Sequence, residues 1–260
     1  MSRSRLAGEF EVHDDRSMTI HGRRFPRFSW PEIPAKVVEI LDAYPRGRVL
    51  DLPTGSGALA WWLHNRGFEV VGADIAPASF QNPEISVAQA DLNGRLTFAD
   101  DSFDYACFLE GPEHLENAFN AFREFARVLK PGGRLVTSIP NYLNLENRLK
   151  TLVYGTSEKL VAGAEYRRLS EAGRYMLHIN RMRYPELRMA IEYAGFRIER
   201  LEKEKTKRGQ RILWPLAALI RIISRLRGAE GRRKYWVQES NSPVVLMGGN
   251  TLIAVCVVEK

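Results

Sequence analysis

With only two cysteines in 260 residues, the chain is not built on a disulfide framework. Cys107 and Cys256 each sit inside an apolar run, where a lone thiol reads as a core residue in a reducing compartment. No uncharged stretch reaches the roughly 18–20 residues of a transmembrane helix. No grouping of His, Cys and carboxylates has the spacing of a metal site, so no metal is expected. The basic opening Met1-Ser2-Arg3-Ser4-Arg5 is not followed by an apolar segment, so a signal peptide is not expected and a cytoplasmic location is. With 45% apolar residues the chain can fill a full core, as one large α/β domain with an accessory segment.

What is present is concentrated in one stretch, Val49-Leu50-Asp51-Leu52-Pro53-Thr54-Gly55-Ser56-Gly57-Ala58-Leu59-Ala60. A short apolar strand ends in an acid, enters a glycine loop and opens an Ala/Leu/Trp helix. Glycine turns the backbone with φ > 0 and leaves room beside it, and the helix directs the positive end of its dipole at the same place. Such a loop suits a nucleoside-bearing ligand.

Around it, strands are expected at 48–52, 68–73, 86–90, 103–109, 134–139, 196–202 and 251–258. Helices are expected at 34–43, 58–65, 115–129, 145–153 and 185–194. The alternation argues a Rossmann-like α/β fold, a seven-stranded, mainly parallel sheet covered on both faces. Asp51, Asp74, Asp91 and Glu110 fall at the carboxyl ends of four successive strands, where ligands of such sheets bind, although each could also serve as a turn or cap residue. Residues 1–30 show no period and read as an arm or lid. The core is then 31–203 with 250–260, and 204–249 reads as a cap insertion, long for a connection between strands.

Gly55-Ser56-Gly57-Ala58-Leu59-Ala60 fits the G-x-G-x-x-A dinucleotide form, with Asp74 about 20 residues on, so an NAD(P)-dependent oxidoreductase is one reading. Asp51 opposes it, because a carboxylate at the loop would repel a pyrophosphate and suit a cationic group. Read together, these residues resemble the class I S-adenosylmethionine-dependent methyltransferases, in their small-molecule, type 11-like branch. Phe125-Ala126-Arg127-Val128-Leu129-Lys130-Pro131-Gly132-Gly133-Arg134-Leu135-Val136 and Ser102-Phe103-Asp104-Tyr105 add to the likeness, which covers about residues 45–140. The resemblance implies S-adenosylmethionine as cofactor, with Asp51 at its methionine end, Asp74 on the ribose, and Asp91 with Leu92 at the adenine edge. The implied binding set is completed by Leu52, Pro53, Thr54, Gly55, Gly57, Ile75 and Leu109. Pro53 stands where the family has its first loop glycine, which removes one main-chain donor and leaves a non-catalytic binding or scaffold protein as a third reading.

Methyl transfer to oxygen or nitrogen needs an acceptor for a proton. His114, with Glu110 beside it, is the first candidate by chain position and His178 the second, although each histidine could equally cap or pack. Methyltransferases of nucleic-acid bases resemble one another by an Asn/Asp-Pro-Pro-aromatic tetrad after the fourth strand. This chain has Glu110-Gly111-Pro112-Glu113 there, so a nucleic-acid partner is not expected.

Between Arg197 and Lys234, thirteen Lys/Arg stand against four Glu, a local charge of about +9 within a chain of net +7. Residues 212–227 form a short apolar helical stretch with Arg221, Ser224 and Arg225 on one narrow polar face. Basic flanks make 208–234 resemble a segment lying on an anionic membrane surface, with a peripheral location at its inner face. Packing on the chain's own core or on a second copy in a homodimer are the rival readings. The expected acceptor is a small or lipid-linked metabolite, methylated on oxygen before nitrogen. Residues 139–149 look similar to enzymes of cell-envelope glycan or lipid biosynthesis.

Overall fold

A computed structural model of the chain describes Leu6, residues 8–158 and residues 160–260. The basic opening at residues 1–5 lies outside the described residues. Seven strands form one sheet: β4 (Arg48–Asp51), β5 (Glu69–Asp74), β6 (Val87–Gln89), β7 (Phe103–Phe108), β8 (Leu129–Pro140), β9 (Phe196–Lys203) and β10 (Thr251–Val258). Their order is β6-β5-β4-β7-β8-β10-β9, with β10 antiparallel to both neighbours and the other pairs parallel. From β4 the chain adds β5 and β6 on one side and β7 and β8 on the other. The direction of strand addition therefore reverses at β4, and a crevice opens beyond its carboxyl end.

Alternate residues of each strand feed two cores. Leu50, Ala106, Phe108, Leu135 and Ala254 face α3 (Ala118–Val128) and a helix at Tyr184–Tyr193. Val49, Tyr105, Cys107, Val136 and Val255 face α1 (Glu32–Leu41) and α2 (Ala58–Asn65). Buried on both sides, β10 reads as an unbroken apolar run, and Cys256 and Cys107 are free buried thiols. In β8 the turn-forming Lys130-Pro131-Gly132-Gly133 is a bulge within the strand: Phe103 pairs Leu129, Tyr105 pairs Arg134, and Gly132 takes φ 73°.

The described part of the N-terminal segment carries a small sheet of its own. Phe10–Val12, Ser17–Ile20 and Arg23–Pro26 form a three-stranded antiparallel meander, β1 to β3. Met18, Ile20 and Phe25 join the core beside Trp62, and Trp61 Nε1 donates to the Ile20 carbonyl at 3.1 Å. Alternation over three or four residues is too short to stand out as a sequence signal.

The 204–249 segment runs between β9 and β10. None of its described residues lines the large cavity, which is roofed from other parts of the chain. Its main helix, Trp214–Leu226, packs through Ala217, Leu213, Leu216 and Ile220 on Leu145, Leu246 and Met247. The supposed polar face is turned inward in part, since Ser224 Oγ accepts from Asn241 Nδ2 at 2.7 Å. Outward stand Ile212, Trp214, Leu219, Ile222, Ile223 and Leu226, all exposed. Among the described residues no helix is long and apolar enough to cross a membrane.

Arg127 at the end of α3 shows how the loops are tied. Its guanidinium meets Glu124, Asp100 at 2.6 Å, and the carbonyls of Phe98 and Leu96 at 2.8 and 2.9 Å. Arg127→Ala leaves these groups without their donor and should cost about 2–3 kcal/mol of unfolding free energy, measured by urea titration.

Candidate functional site

The crevice beyond β4 holds a cavity of about 500 Å³, within the range of sites for small organic ligands (roughly 300–1,000 Å³). Three strand ends deliver its acids. Asp51, at the end of β4, is 2% exposed and accepts from Thr54 Oγ1 at 2.8 Å. Burial pushes its carboxyl up to about 7, helped by the charge of Asp74 and opposed by the Thr54 bond. Asp74, at the end of β5, accepts from the Gly55 N–H at 2.9 Å and from the Ala76 N–H at 3.0 Å. Asp91 is exposed beyond β6 and closes its own turn by accepting from the Asn93 N–H at 2.8 Å.

The loop between β4 and α2 spends four of its donors internally. Leu52 N–H goes to Cys107, Thr54 N–H to Ala73, Gly55 N–H to Asp74 and Gly57 N–H to Thr54; Pro53 has none. Gly55 needs its freedom, with φ 54° and the Phe28 ring 3.2 Å from where a Cβ would stand. Gly57 is set back from the cavity wall: a Cβ there would meet Asn82 and Phe80 at 2.3 and 2.6 Å. Its smallness serves packing behind the loop. Leu52, Pro53, Thr54, Ile75, Leu92 and Leu109 do line the cavity, and the peptide Leu52–Pro53 is cis.

Glu110, Glu113, His114 and His178 line the far wall. Glu110 takes φ 47°, its N–H donating to Ser138 Oγ at 2.9 Å while that hydroxyl donates to the Glu110 carboxylate at 3.0 Å. Burial, with Glu204 nearby, pushes the Glu110 carboxyl up to about 7. Glu113 is 1% exposed, and burial raises its carboxyl as well. His114 Nδ1 lies 3.0 Å from the Leu177 carbonyl, and His178 Nδ1 lies 3.2 Å from the Tyr142 hydroxyl. Burial lowers both imidazoles, which favours their neutral forms; their rings meet edge to face at 4.9 Å.

Fourteen residues were expected at the site from sequence, and all but Gly57 reach the cavity. Sequence reasoning missed Arg27, Phe28 and Ser29 from the N-terminal segment, Tyr175 and Met176, and Glu113. Only Glu113 carried a signal, as the neighbour of His114. Sequence reasoning also saw no metal-like grouping, whereas the fold brings ligand atoms of Glu113, His114 and His178 within 4.8 Å of one another. His178 is 64 residues from His114 in the chain, so no local spacing could show it.

Residues 50–137 match the family model described as a methyltransferase domain. A demethylmenaquinone methyltransferase of Beutenbergia cavernae is 35% identical over 106 residues, 39% of this chain and 44% of that protein. A ubiquinone biosynthesis O-methyltransferase of Alkalilimnicola ehrlichii is 32% identical over 114 residues, 40% of this chain and 46% of that one. The chain thus spans less than half the length of these curated relatives. A solved SAM-dependent methyltransferase from Archaeoglobus fulgidus shares the fold, with TM-score 0.55 and 18% identity over 86% of this chain and 92% of that structure. Sheet order and acid-ended strands agree with the methyltransferase domain matched at residues 50–137, and in these features the chain is similar to the class I S-adenosylmethionine-dependent methyltransferases.

Proposed function

We propose that the protein transfers the methyl group of S-adenosylmethionine to an oxygen, before a nitrogen, of a small or lipid-linked acceptor. The observation that carries this reading is one cavity with two chemically distinct ends. Asp51, Gly55, Asp74 and Asp91 stand at one end, and Glu113, His114 and His178 at the other. The N–H groups of Leu52, Thr54, Gly55 and Gly57 are already donated within the protein and two carboxylates flank the loop, which suits a sulfonium nucleoside with an ammonium group better than a pyrophosphate. This counts against the oxidoreductase reading.

In this proposal the cofactor supplies an electrophilic methyl group, and the protein's task is alignment and exclusion of water. Asp74 holds hydroxyls of the ribose while keeping the loop closed through Gly55. Asp51 faces the cationic methionine end, and the apolar Ile75 and Leu92 flank the adenine. Phe28 and Met176 form the roof. The wall of Glu110, Glu113, His114 and His178 receives the acceptor and disposes of its proton. The relatives matched over part of their length are named for quinone methylation, which supports an acceptor that is a small, lipid-soluble molecule.

The outward face of helix Trp214–Leu226 fits such an acceptor. Its exposed apolar residues are accompanied by exposed Arg211, Arg225, Arg227, Arg233 and Lys234, an arrangement suited to an anionic lipid surface. Many of the other basic residues counted in this region are engaged: Arg197 with Glu259, Lys205 with Glu32 and Lys207 with Glu146. Peripheral attachment at the inner face of the membrane, and from it a role in cell-envelope glycan or lipid synthesis, follow from this reading.

Asp74→Ala should weaken S-adenosylhomocysteine binding about tenfold or more by calorimetry, the loss of charge-assisted hydrogen bonds at about 1.5–3 kcal/mol. Unchanged affinity would remove the cofactor assignment. The Asp51 carboxyl adds a pH dependence. In the free protein its raised value, about 7 against the usual 3.8, makes its stabilising contribution full at acid pH and lost as pH rises through about 7. A cationic ligand favours the ionised form, so cofactor affinity falls as pH falls. Around Asp51 stand Thr54, Asp74 and the buried neutral Cys107. Binding should be about tenfold weaker at pH 6 than at pH 8, and Asp51→Asn should remove that part of the slope. Flotation on vesicles containing phosphatidylglycerol should drop several-fold in an Ile222→Asp/Leu226→Asp variant; equal flotation would end the membrane reading.

A further inference from the structure

The far wall of the cavity contains a buried carboxylate with nothing bonded to it. Glu113 is 1% exposed, and neither of its carboxylate oxygens has a hydrogen-bond partner. Such a group is costly in a protein interior unless something pairs with it. Two imidazoles close on it, and one ligand atom from each of Glu113, His114 and His178 lies within 4.8 Å of the others.

The histidines are prepared for a ligand. A carbonyl oxygen can only accept, so the 3.0 Å contact of His114 Nδ1 with Leu177 puts the proton of the neutral ring on Nδ1. The lone pair is then on Nε2. His178 Nδ1 is engaged by the Tyr142 hydroxyl, which both accepts and donates; with the hydroxyl accepting from Nδ1, the Nε2 lone pair is free for a ligand. Protein ligands of metal ions are typically oriented by a hydrogen bond from the opposite ring nitrogen. A second link fixes the two segments together: the Asn180 N–H donates to the Glu113 carbonyl at 3.0 Å. The stretch 177–180 is thereby clamped against 113–114, with the ligand atoms between them.

We infer that Glu113, His114 and His178 bind a divalent transition-metal ion at the acceptor end of the cavity. Two imidazoles and one carboxylate suit Zn²⁺, Co²⁺, Mn²⁺ or Fe²⁺ better than Mg²⁺ or Ca²⁺, which prefer oxygen. Bond lengths of about 2.0–2.2 Å require the side chains to draw together by a small movement, which the exposed His178 can make. Three protein ligands leave positions open toward the cavity. The inference rests on the methyltransferase reading and specifies how its acceptor is activated.

The metal binds the acceptor hydroxyl and makes it more acidic. The proton leaves to Glu110 or to water, and the oxygen forms a bond to the methyl carbon. The bond from that carbon to sulfur breaks, its electron pair stays on sulfur, and neutral S-adenosylhomocysteine remains. His114 is then a ligand and not a base, because its one lone pair is occupied.

The test uses the full chain stripped with chelator and titrated with Co²⁺ alone, read by calorimetry and by visible absorption of the bound ion. One Co²⁺ per chain is expected, with affinity falling at least tenfold in Glu113→Gln and in His178→Ala. Because His178 is exposed, its replacement tests the site without disturbing the core. Wild-type protein that binds no more Co²⁺ than His178→Ala overturns the inference. S-adenosylhomocysteine binding is measured on the same samples without metal. If it is present in all three proteins, a metal result of either kind bears on the metal site alone. If it is absent from wild type, the cofactor reading fails whatever Co²⁺ does.

Discussion

The bond from the Gly55 N–H to the Asp74 carboxylate is the interaction on which the site depends. It joins the loop after β4 to the end of β5, across the line where the sheet changes direction. It exists only because Gly55 takes φ 54°, a conformation a side chain would resist, and the Phe28 ring has moved into the space the missing Cβ leaves. One backbone bond therefore sets three things: the position of an acid, the shape of the loop and the seat of the N-terminal segment that roofs the cavity. Ser56 Oγ reinforces the last of these by donating to the Pro26 carbonyl at 2.9 Å.

This arrangement answers why a loop of glycine-fingerprint form need not hold phosphates. A phosphate loop keeps its N–H groups free and pointing outward. Here the donors of Leu52, Thr54, Gly55 and Gly57 are directed into the protein, and Pro53 contributes none. Among the residues that face the cavity, the carboxylates of Asp51 and Asp74 flank the loop. Pro53 is for the same reason less disruptive than its missing N–H suggests. The neighbouring donors are consumed internally, and its ring lies close to Gly111, whose Cβ position is 3.2 Å from Pro53 Cδ.

Much of this was legible because it is local. Strand ends carry their acids at fixed positions, so Asp51, Asp74 and Asp91 could be assigned from the alternation of apolar runs and turn residues. The helix at 58–65 was legible to the residue, since glycine bounds it on both sides at Gly57 and Gly67. What could not be read is what depends on distance. The β1–β3 meander has strands too short to show a period, and its role comes from contacts with α2 some 40 residues on. The grouping of Glu113 with His178 is set by the Asn180 and Leu177 backbone bonds, and backbone bonds leave no mark in the sequence.

The insertion illustrates a different limit. Its helix has apolar residues almost all round, and a sequence cannot say which side is the inner one. Ala217 and Ser224 mark that side: small residues let the helix approach Leu246, Met247 and the Asn241 amide closely. The bulky Trp214, Ile222, Ile223 and Leu226 are left outside, where they would be a liability in water alone. Glu204 holds the base of the segment by accepting from the N–H groups of Asn250 and Thr251, so both ends of the insertion are anchored beside β9 and β10. A Cβ at Gly249 would meet the Glu204 carboxylate and displace it from these bonds. The apolar face is therefore carried on a fixed base at the sheet edge, and the cavity is left to be roofed by residues 26–29 and 175–178. Separating the two tasks lets the surface engage a partner without closing the route to the reacting groups.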